Sequence, residues 1–261
     1  MRSFTNLPES LSQMITSYVW NQITAGKSPA QVYCLKRNHH PTYYLKIAHK
    51  LPRRDLLQEN NVLRWLRNKL PVPEVICFAE DDNRDYLLLS EIPGANAASL
   101  TDGVDKADLV KLIAQGLRMI HGTSIDGCPF DRSLTVEIKI AEDNVKNSLL
   151  DDGDFDDARL GLSAKTLYEE LILNKPKKED LVFTHGDYCL PNIIILGNSI
   201  SGFVDLHRAG VSDRYKDIAL AVRSINSNLG SGFEPDFLNE YGLPEPDSEK
   251  IEYYMLLDEF F

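Results

Sequence analysis

The sequence predicts an α+β protein of two lobes, the first rich in strands and the second mainly helical. Three observations carry this prediction. Short runs of β-branched and aromatic residues crowd the first third of the chain, and apolar residues at helical spacing dominate the remainder. A Pro- and Gly-containing segment, Ser90 to Gly94 (SEIPG), separates the two regimes, as these residues punctuate regular structure. Charge divides at the same place. Residues 1–92 hold 12 Lys and Arg against 9 Asp and Glu, a balance of +3, whereas residues 93–261 hold 16 against 30, a balance of −14. Lobes spanning 1–92 and 93–261 suit a chain of 261 residues.

In chain order, VYCLK (Val32–Lys36) and TYYLK (Thr42–Lys46) read as two strands joined by the polar turn RNHHP, with His39 and His40 as solvated turn residues. From Glu59 to Leu70, apolar residues fall at Val62, Leu63, Leu66 and Leu70, the spacing of a helix that must stop before Pro71 and Pro73. Glu74–Phe78 and Tyr86–Leu89 are strand-like and flank the acidic turn DDNRD. Beyond SEIPG, Leu109, Leu112, Ile113, Leu117 and Ile120 share one helix face, and His121 ends that helix as a structural residue. The stretch from Glu142 to Asp157 is acidic, with seven carboxylates against Lys146. Three short β runs follow: LVF (Leu181–Phe183), NIIIL (Asn192–Leu196) and GFV (Gly202–Val204). From Asp213 onward the pattern is helical, with a Gly- and Pro-containing interruption.

Composition excludes several classes. Hydrophobic content of 43% and charged content of 26% are those of a globular protein. No apolar stretch approaches the ~18 residues that a membrane span requires, and the amino-terminal residues lack the apolar core of a signal peptide. A cytoplasmic protein without a membrane partner is expected. The net charge of −11 argues against nucleic acid, whose phosphates need basic patches. Cys34, Cys77, Cys128 and Cys189 show no metal-ligand spacing and read as reduced thiols.

The chemistry concentrates in His185-Gly186-Asp187-Tyr188-Cys189-Leu190-Pro191-Asn192. The spacing H-x-D-x-x-x-x-N is that of the protein-kinase catalytic loop, where the Asp orients or accepts the substrate hydroxyl proton and the Asn binds Mg²⁺. One loop can then present a carboxylate to the nucleophile and an amide oxygen to a metal a few ångströms away. His185 braces this loop. Asp205 follows the apolar run Gly202–Val204, where a second Mg²⁺ ligand would sit, and a hard carboxylate oxygen suits that ion. Upstream, Lys46 ends a strand and Glu59 lies thirteen residues later on a helix. A strand Lys paired with a helix Glu is how kinase-like lobes hold the α- and β-phosphates. No Walker A or GxGxxG motif occurs; instead Gly26-Lys27-Ser28-Pro29 offers a turn whose N–H groups and Ser28 hydroxyl can face phosphate. On these residues alone, a kinase for choline, a fructosamine or another small cationic metabolite stays open, as does an inactive kinase-like binding protein.

HGDYCLPNIIIL, SGFVDLHRAGVSDRYKDIALAVRSI and the terminal YYMLLDEFF closely resemble the aminoglycoside 3′-phosphotransferases, the kanamycin kinase type. QVYCLK, YYLK, WLRNKLPVPEV, LLLSEIPG and CPF fit the same family in order, so the resemblance spans essentially the whole chain. Choline and homoserine kinases share the loop but not an ending such as LLDEFF. The resemblance implies a protein-kinase-like fold and phosphorylation of the 3′-hydroxyl of antibiotics such as kanamycin and neomycin by ATP with Mg²⁺. By position it implies Asp187 as catalytic aspartate, Asn192 and Asp205 as metal ligands, and Lys46 with Glu59 at the phosphates. It likewise implies Ser28 in the phosphate loop, Tyr44 stacked on adenine, and Glu91 and Ile92 as the hinge that meets the adenine edge. For the antibiotic it implies Asp156, Asp157, Arg223, Asp258, Glu259 and Phe261 with its carboxylate, held by docking of the apolar tail. Two positions depart from the family pattern: His207 stands where Gly is usual, and Ser227 stands near where relatives often carry an acidic residue.

Overall fold

The computed structural model describes residues 7–24, 30–50, 54–156 and 158–261. Ser28 and Asp157 lie outside the described residues. A short helix α1 (Glu9–Met14) precedes strands β1 (Val19–Ile23), β2 (Gln31–Lys36) and β3 (Tyr43–His49), then helix α2 (Asp55–Leu66) and strands β4 (Val75–Glu80) and β5 (Arg84–Ser90). These strands form one antiparallel sheet in the order β1-β2-β3-β5-β4. The expected hairpin and both later strands are present. β1 escapes sequence reading because it is an edge strand with four of five residues exposed, so it has no alternating buried face. α2 begins four residues before the predicted start and ends at Leu66, where Arg67 turns extended and Asn68 takes φ 65°. Leu70 kept the apolar spacing going because it packs into the same core from the turn.

The period-2 alternation of β3 sorts its side chains to two faces. Leu45 and Ile47 join Tyr86 and Leu88 of β5 and Leu11 of α1 in one small core. Tyr44 and Lys46 point the other way, opposite Leu89 and Leu87 in register, onto the face covered by α2.

The remaining described chain is β6 (Ala95–Asn96), α3 (Lys106–His121), α4 (Leu134–Lys146), α5 (Ala164–Leu173), β7 (Leu181–Thr184), β8 (Ile193–Leu196), β9 (Ser199–Phe203), β10 (Gly210–Asp213), α6 (Arg214–Leu229), α7 (Glu234–Tyr241) and α8 (Ser248–Asp258). β6, β8 and β9 form one small sheet, and β7 pairs with β10. α3 and α6 bury their apolar faces in a larger core that also takes in α2, Leu87 and Leu89. Asp105 caps α3 by accepting from the Ala107 and Asp108 N–H groups, and Asp213 caps α6 through Tyr215 N–H. The helical part meets the link between α2 and β4 through a stitch at β9, where Phe203 N–H donates to Pro71 O at 2.9 Å. No helix of the described residues is long and apolar enough to cross a membrane. The two-lobed, kinase-like α+β architecture expected from the sequence is the one observed.

Candidate active site

β7 delivers the chain to the loop His185–Asn192. Gly186 sits at φ 83°, and a Cβ there would lie 2.2 Å from Arg208 O, so this turn admits only glycine. The loop is held from beneath by Asp217 of α6, which accepts from His185 N–H at 2.7 Å and Gly186 N–H at 2.8 Å. Asp217 is fully buried, and His121 Nε2 reaches the same carboxylate at 3.2 Å. Burial alone would push the Asp217 carboxyl up; the bonds from His121 and the loop outweigh it and hold the group below the ordinary aspartate range. His185 donates from Nε2 to Val204 O at 3.0 Å, which leaves Nδ1 to accept from Asp187 N–H at 3.3 Å. Both ring nitrogens of His185 are therefore committed to bracing the loop.

Asn192 donates from Nδ2 to Asp187 O and to Asp187 Oδ2, each at 3.0 Å, which fixes the Asp187 carboxylate. Val204 N–H donates to Asn192 O at 3.0 Å, so the segment entering Asp205 is tied to the end of the loop. Asp205 takes φ 64°, a left-handed conformation that aspartate tolerates better than most residues. The turn aims its carboxylate at Lys46, 3.1 Å away. Lys46 Nζ also donates to both oxygens of Glu59, at 2.8 and 2.9 Å. Glu59 is only 2% exposed among the apolar residues of α2, so an unpaired charge there would be costly. Burial would lower the Lys46 ammonium, but Asp205 and Glu59 outweigh it and raise it above an ordinary lysine. Burial would raise the Asp205 carboxyl, but Lys46 and His207 hold it well below the usual range. His207, the first departure from the family pattern, places Nδ1 3.1 Å from Asp205 Oδ1.

Tyr44 shares the face of Lys46, and Glu91 and Ile92 follow β5 directly. Burial first, then Cys34 and Glu91, push the Tyr44 hydroxyl up to about 12. Glu91 is exposed and Ile92 half-buried, and Ile92 packs on Gly202.

A cleft of about 750 Å³ opens on the other side of Asp187, and Asp156, Arg223, Asp258, Glu259 and Phe261 line it with that residue. Asp258 is engaged on both oxygens, by Arg208 Nη2 at 2.6 Å and by Arg223 Nη2. Arg223 Nη1 reaches Asp156 at 3.1 Å. Asp156 N–H donates to Glu259 Oε2 at 3.1 Å, and Arg159 reaches Glu259 Oε1 at 3.3 Å. Burial and the charge of Asp156 raise the Glu259 carboxyl, whereas Arg208 and Arg223 overcome the burial of Asp258 and lower it. Phe261 lies under the Arg208 guanidinium at 4.7 Å, and Asn144 Nδ2 donates to Phe260 O at 2.6 Å. These contacts dock the tail that the sequence marks as too apolar to be free. Ser227, the second departure, also lines the cleft. So does Cys189, whose thiol burial and Asp187 push far up.

Among the predicted site residues within the described chain, Lys46, Glu59 and Asp205 form one group, and Asp156, Arg223, Asp258, Glu259 and Phe261 line the cleft with Asp187, to which Asn192 is bonded. No hydrogen bond or ion pair between described residues joins Tyr44, Glu91 or Ile92 to either group. Sequence reading passes over Asp217, Arg208 and Arg159, whose roles depend on partners 32, 50 and 100 residues away. An Asp inside the apolar helical run YKDIALAV is the one signal that could have exposed Asp217.

The Phosphotransferase enzyme family profile matches residues 19–254. An aminoglycoside 3′-phosphotransferase of Niallia circulans is 41% identical over 262 residues, covering 99% of each chain. One from Streptomyces fradiae is 34% identical, covering 97% of this chain and 98% of its own. The crystal structure of an aminoglycoside 3′-phosphotransferase of type VIII superposes with a TM-score of 0.86 at 31% identity, covering 97% of each chain. A Streptomyces rimosus aminoglycoside phosphotransferase, crystallised with ADP and streptomycin, shares the fold with a TM-score of 0.81 at 24% identity over 96% of this chain and 95% of its own. The family profile over residues 19–254, the full-length relatives at up to 41% identity and the superposed type VIII structure place this chain in the aminoglycoside 3′-phosphotransferase family.

Proposed function

We propose that the protein transfers the γ-phosphoryl group of ATP to the 3′-hydroxyl of aminoglycosides of the kanamycin and neomycin class and so confers resistance. The observation that carries this reading is the position of Asp187, fixed by Asn192 between the Lys46–Glu59–Asp205 group and an acidic cleft. Residues 1–92 would hold the nucleotide and residues 93–261 the catalytic loop and antibiotic. The four free cysteines suit the reducing cytoplasm, where ATP is available.

Lys46, oriented by Glu59, would hold the α- and β-phosphates, with Tyr44, Glu91 and Ile92 around the adenine. Ser28 would contribute from the phosphate loop. Asn192 and Asp205 offer an amide oxygen and one carboxylate. Among the described residues no three His, Cys, Asp or Glu side chains gather as a protein-only cage. That donor set fits Mg²⁺, which prefers one or two carboxylates beside phosphate oxygens; Asn192 and Asp205 would hold it, and it would supply neutralisation of phosphate charge. Asp187 orients the acceptor hydroxyl in line with the γ-phosphorus and accepts its proton late, because the transition state for such transfers is loose. The residual work of the protein is positioning and charge stabilisation. Asp156, Asp157, Asp258, Glu259 and the Phe261 carboxylate, moderated by Arg223, would receive the ammonium groups of the antibiotic.

A coupled ADP-release assay with Mg²⁺-ATP tests the reading. Kanamycin should support turnover, and tobramycin, which lacks the 3′-hydroxyl, should not. Absence of turnover with every aminoglycoside would overturn the proposal, and equal turnover with tobramycin would overturn the site of attack.

A further inference from the structure

We propose that Gly116 and Tyr188 form a positioning pair for Asp187, in which a notch in α3 seats the tyrosine that follows the catalytic aspartate. Tyr188 is fully buried, and its hydroxyl donates to Ile113 O of α3 at 2.6 Å. A Cβ at position 116 would stand 2.6 Å from that hydroxyl oxygen and 3.3 Å from both Ile200 Cδ1 and Phe203 Cε1. Glycine is unfavourable inside a helix, and here its missing side chain is the space the tyrosine occupies. The seated ring meets His185 edge-on at a centroid separation of 6.0 Å and Phe203 at 6.3 Å. It therefore stands between the loop that carries Asp187 and the strand that runs into Asp205.

α3 grips the loop a second time at its other end, where His121 meets Asp217 beneath the N–H groups of His185 and Gly186. Residues 185–188 are thus held at one end by Asp217 of α6, which His121 of α3 contacts, and at the other by α3 itself, and Asp187 lies between the two anchors. The Asp217 anchor fixes the backbone entering the aspartate. The Gly116–Tyr188 anchor fixes the backbone leaving it. Tyr188 touches neither nucleotide-side group nor cleft, so it acts through Asp187; the inference rests on the reading of Asp187 as the group that orients the acceptor hydroxyl.

Steady-state kinetics of the full chain with ATP and kanamycin, expressed per ATP site titrated with a non-hydrolysable nucleotide, test it on Gly116→Ala, Tyr188→Phe and the double variant. Alanine at 116 collides with the hydroxyl, so kcat should fall about 10- to 100-fold, the scale of an ångström-level misplacement, with KM for ATP nearly unchanged. Removal of the hydroxyl in Tyr188→Phe should lower kcat only a few-fold. It also clears the space for alanine, so the double variant should turn over faster than Gly116→Ala although it carries one more substitution. A wild-type kcat in Gly116→Ala, or a double variant no faster than that single one, would overturn the proposal. Should Gly116→Ala fail to fold, Tyr188→Phe decides: reduced kcat at constant KM supports the pair, and wild-type kcat overturns it. The wild-type chain controls for the reaction itself; lack of turnover there brings down the phosphotransfer reading and this proposal with it, whereas a defect confined to the variants bears on the pair alone.

Discussion

Lys46 donates to both oxygens of Glu59 and to Asp205, so one ammonium answers two carboxylates that burial would otherwise penalise. The two partners are not equivalent. Lys46→Met would strand the buried Glu59 and leave Asp205 to His207, and breaking a buried pair by removing one member costs about 3–5 kcal/mol. Glu59→Gln leaves the Lys46–Asp205 pair in place. Both variants should raise KM for ATP, but only Lys46→Met should lower Tm substantially, as a calorimetric or dichroism melt would register; equal Tm losses would contradict this division of labour. At this scale the sequence is most readable where function imposes a fixed spacing. Asp187, Asn192 and Asp205 could be named because the loop chemistry demands them at set intervals. Asp217 could not, since its meaning comes from backbone N–H groups 31 and 32 residues away. Arg223 was nameable only as a neighbour of the cleft, and its bridging of Asp156 and Asp258 depends on the packing of separate elements.

α8 illustrates how an element converts an apolar tail into part of a site. Asp247 caps it by accepting from Lys250 N–H, and Leu256, Leu257 and Phe260 are buried in the main core. Asp258, its last residue, is thereby delivered between Arg208 and Arg223. The Asp258 carboxyl is held below its ordinary value, so the folded protein favours the charged form more than the unfolded chain does. Its contribution to stability is complete above the ordinary aspartate value of about 3.9 and is lost as pH falls through the lower folded value. Asp258→Asn should therefore be less stable than wild type near neutrality, and the difference in Tm should shrink on acidification below that range. A gap independent of pH would show that the carboxylate charge is not what the arginines require. The same scale shows where element reading fails. β1 is invisible because it tucks only Trp20 partly against the small core, and α2 is displaced because Leu70 mimics another helical turn from within a bend.

Across the whole molecule, the sequence balance of +3 for residues 1–92 and −14 for residues 93–261 matches the proposed division between a polyanionic nucleotide and a polycationic antibiotic. The cleft carboxylates are nevertheless partly neutralised by Arg208, Arg223 and Arg159, so the long-range field of the many other acidic residues carries much of the attraction. KM for kanamycin should accordingly rise as sodium chloride is increased from ~0.05 to ~0.5 M, because the screening length shortens to a few ångströms. A KM flat across that range would confine recognition to short contacts. The overall architecture was legible because strand-like runs dominate the first third of the chain and helical spacing most of the remainder, while the two cores and the β9–Pro71 stitch arise only when distant elements meet. Cys189 carries a different consequence for anyone designing a blocker of the cleft. The residue lines that space beside Asp187, yet burial and the aspartate push its thiol far up and so favour the neutral form. The thiolate is the attacking species, so an acrylamide or chloroacetamide warhead aimed there would meet a poor nucleophile, and a reversible cation that competes for the carboxylates is the better starting chemistry.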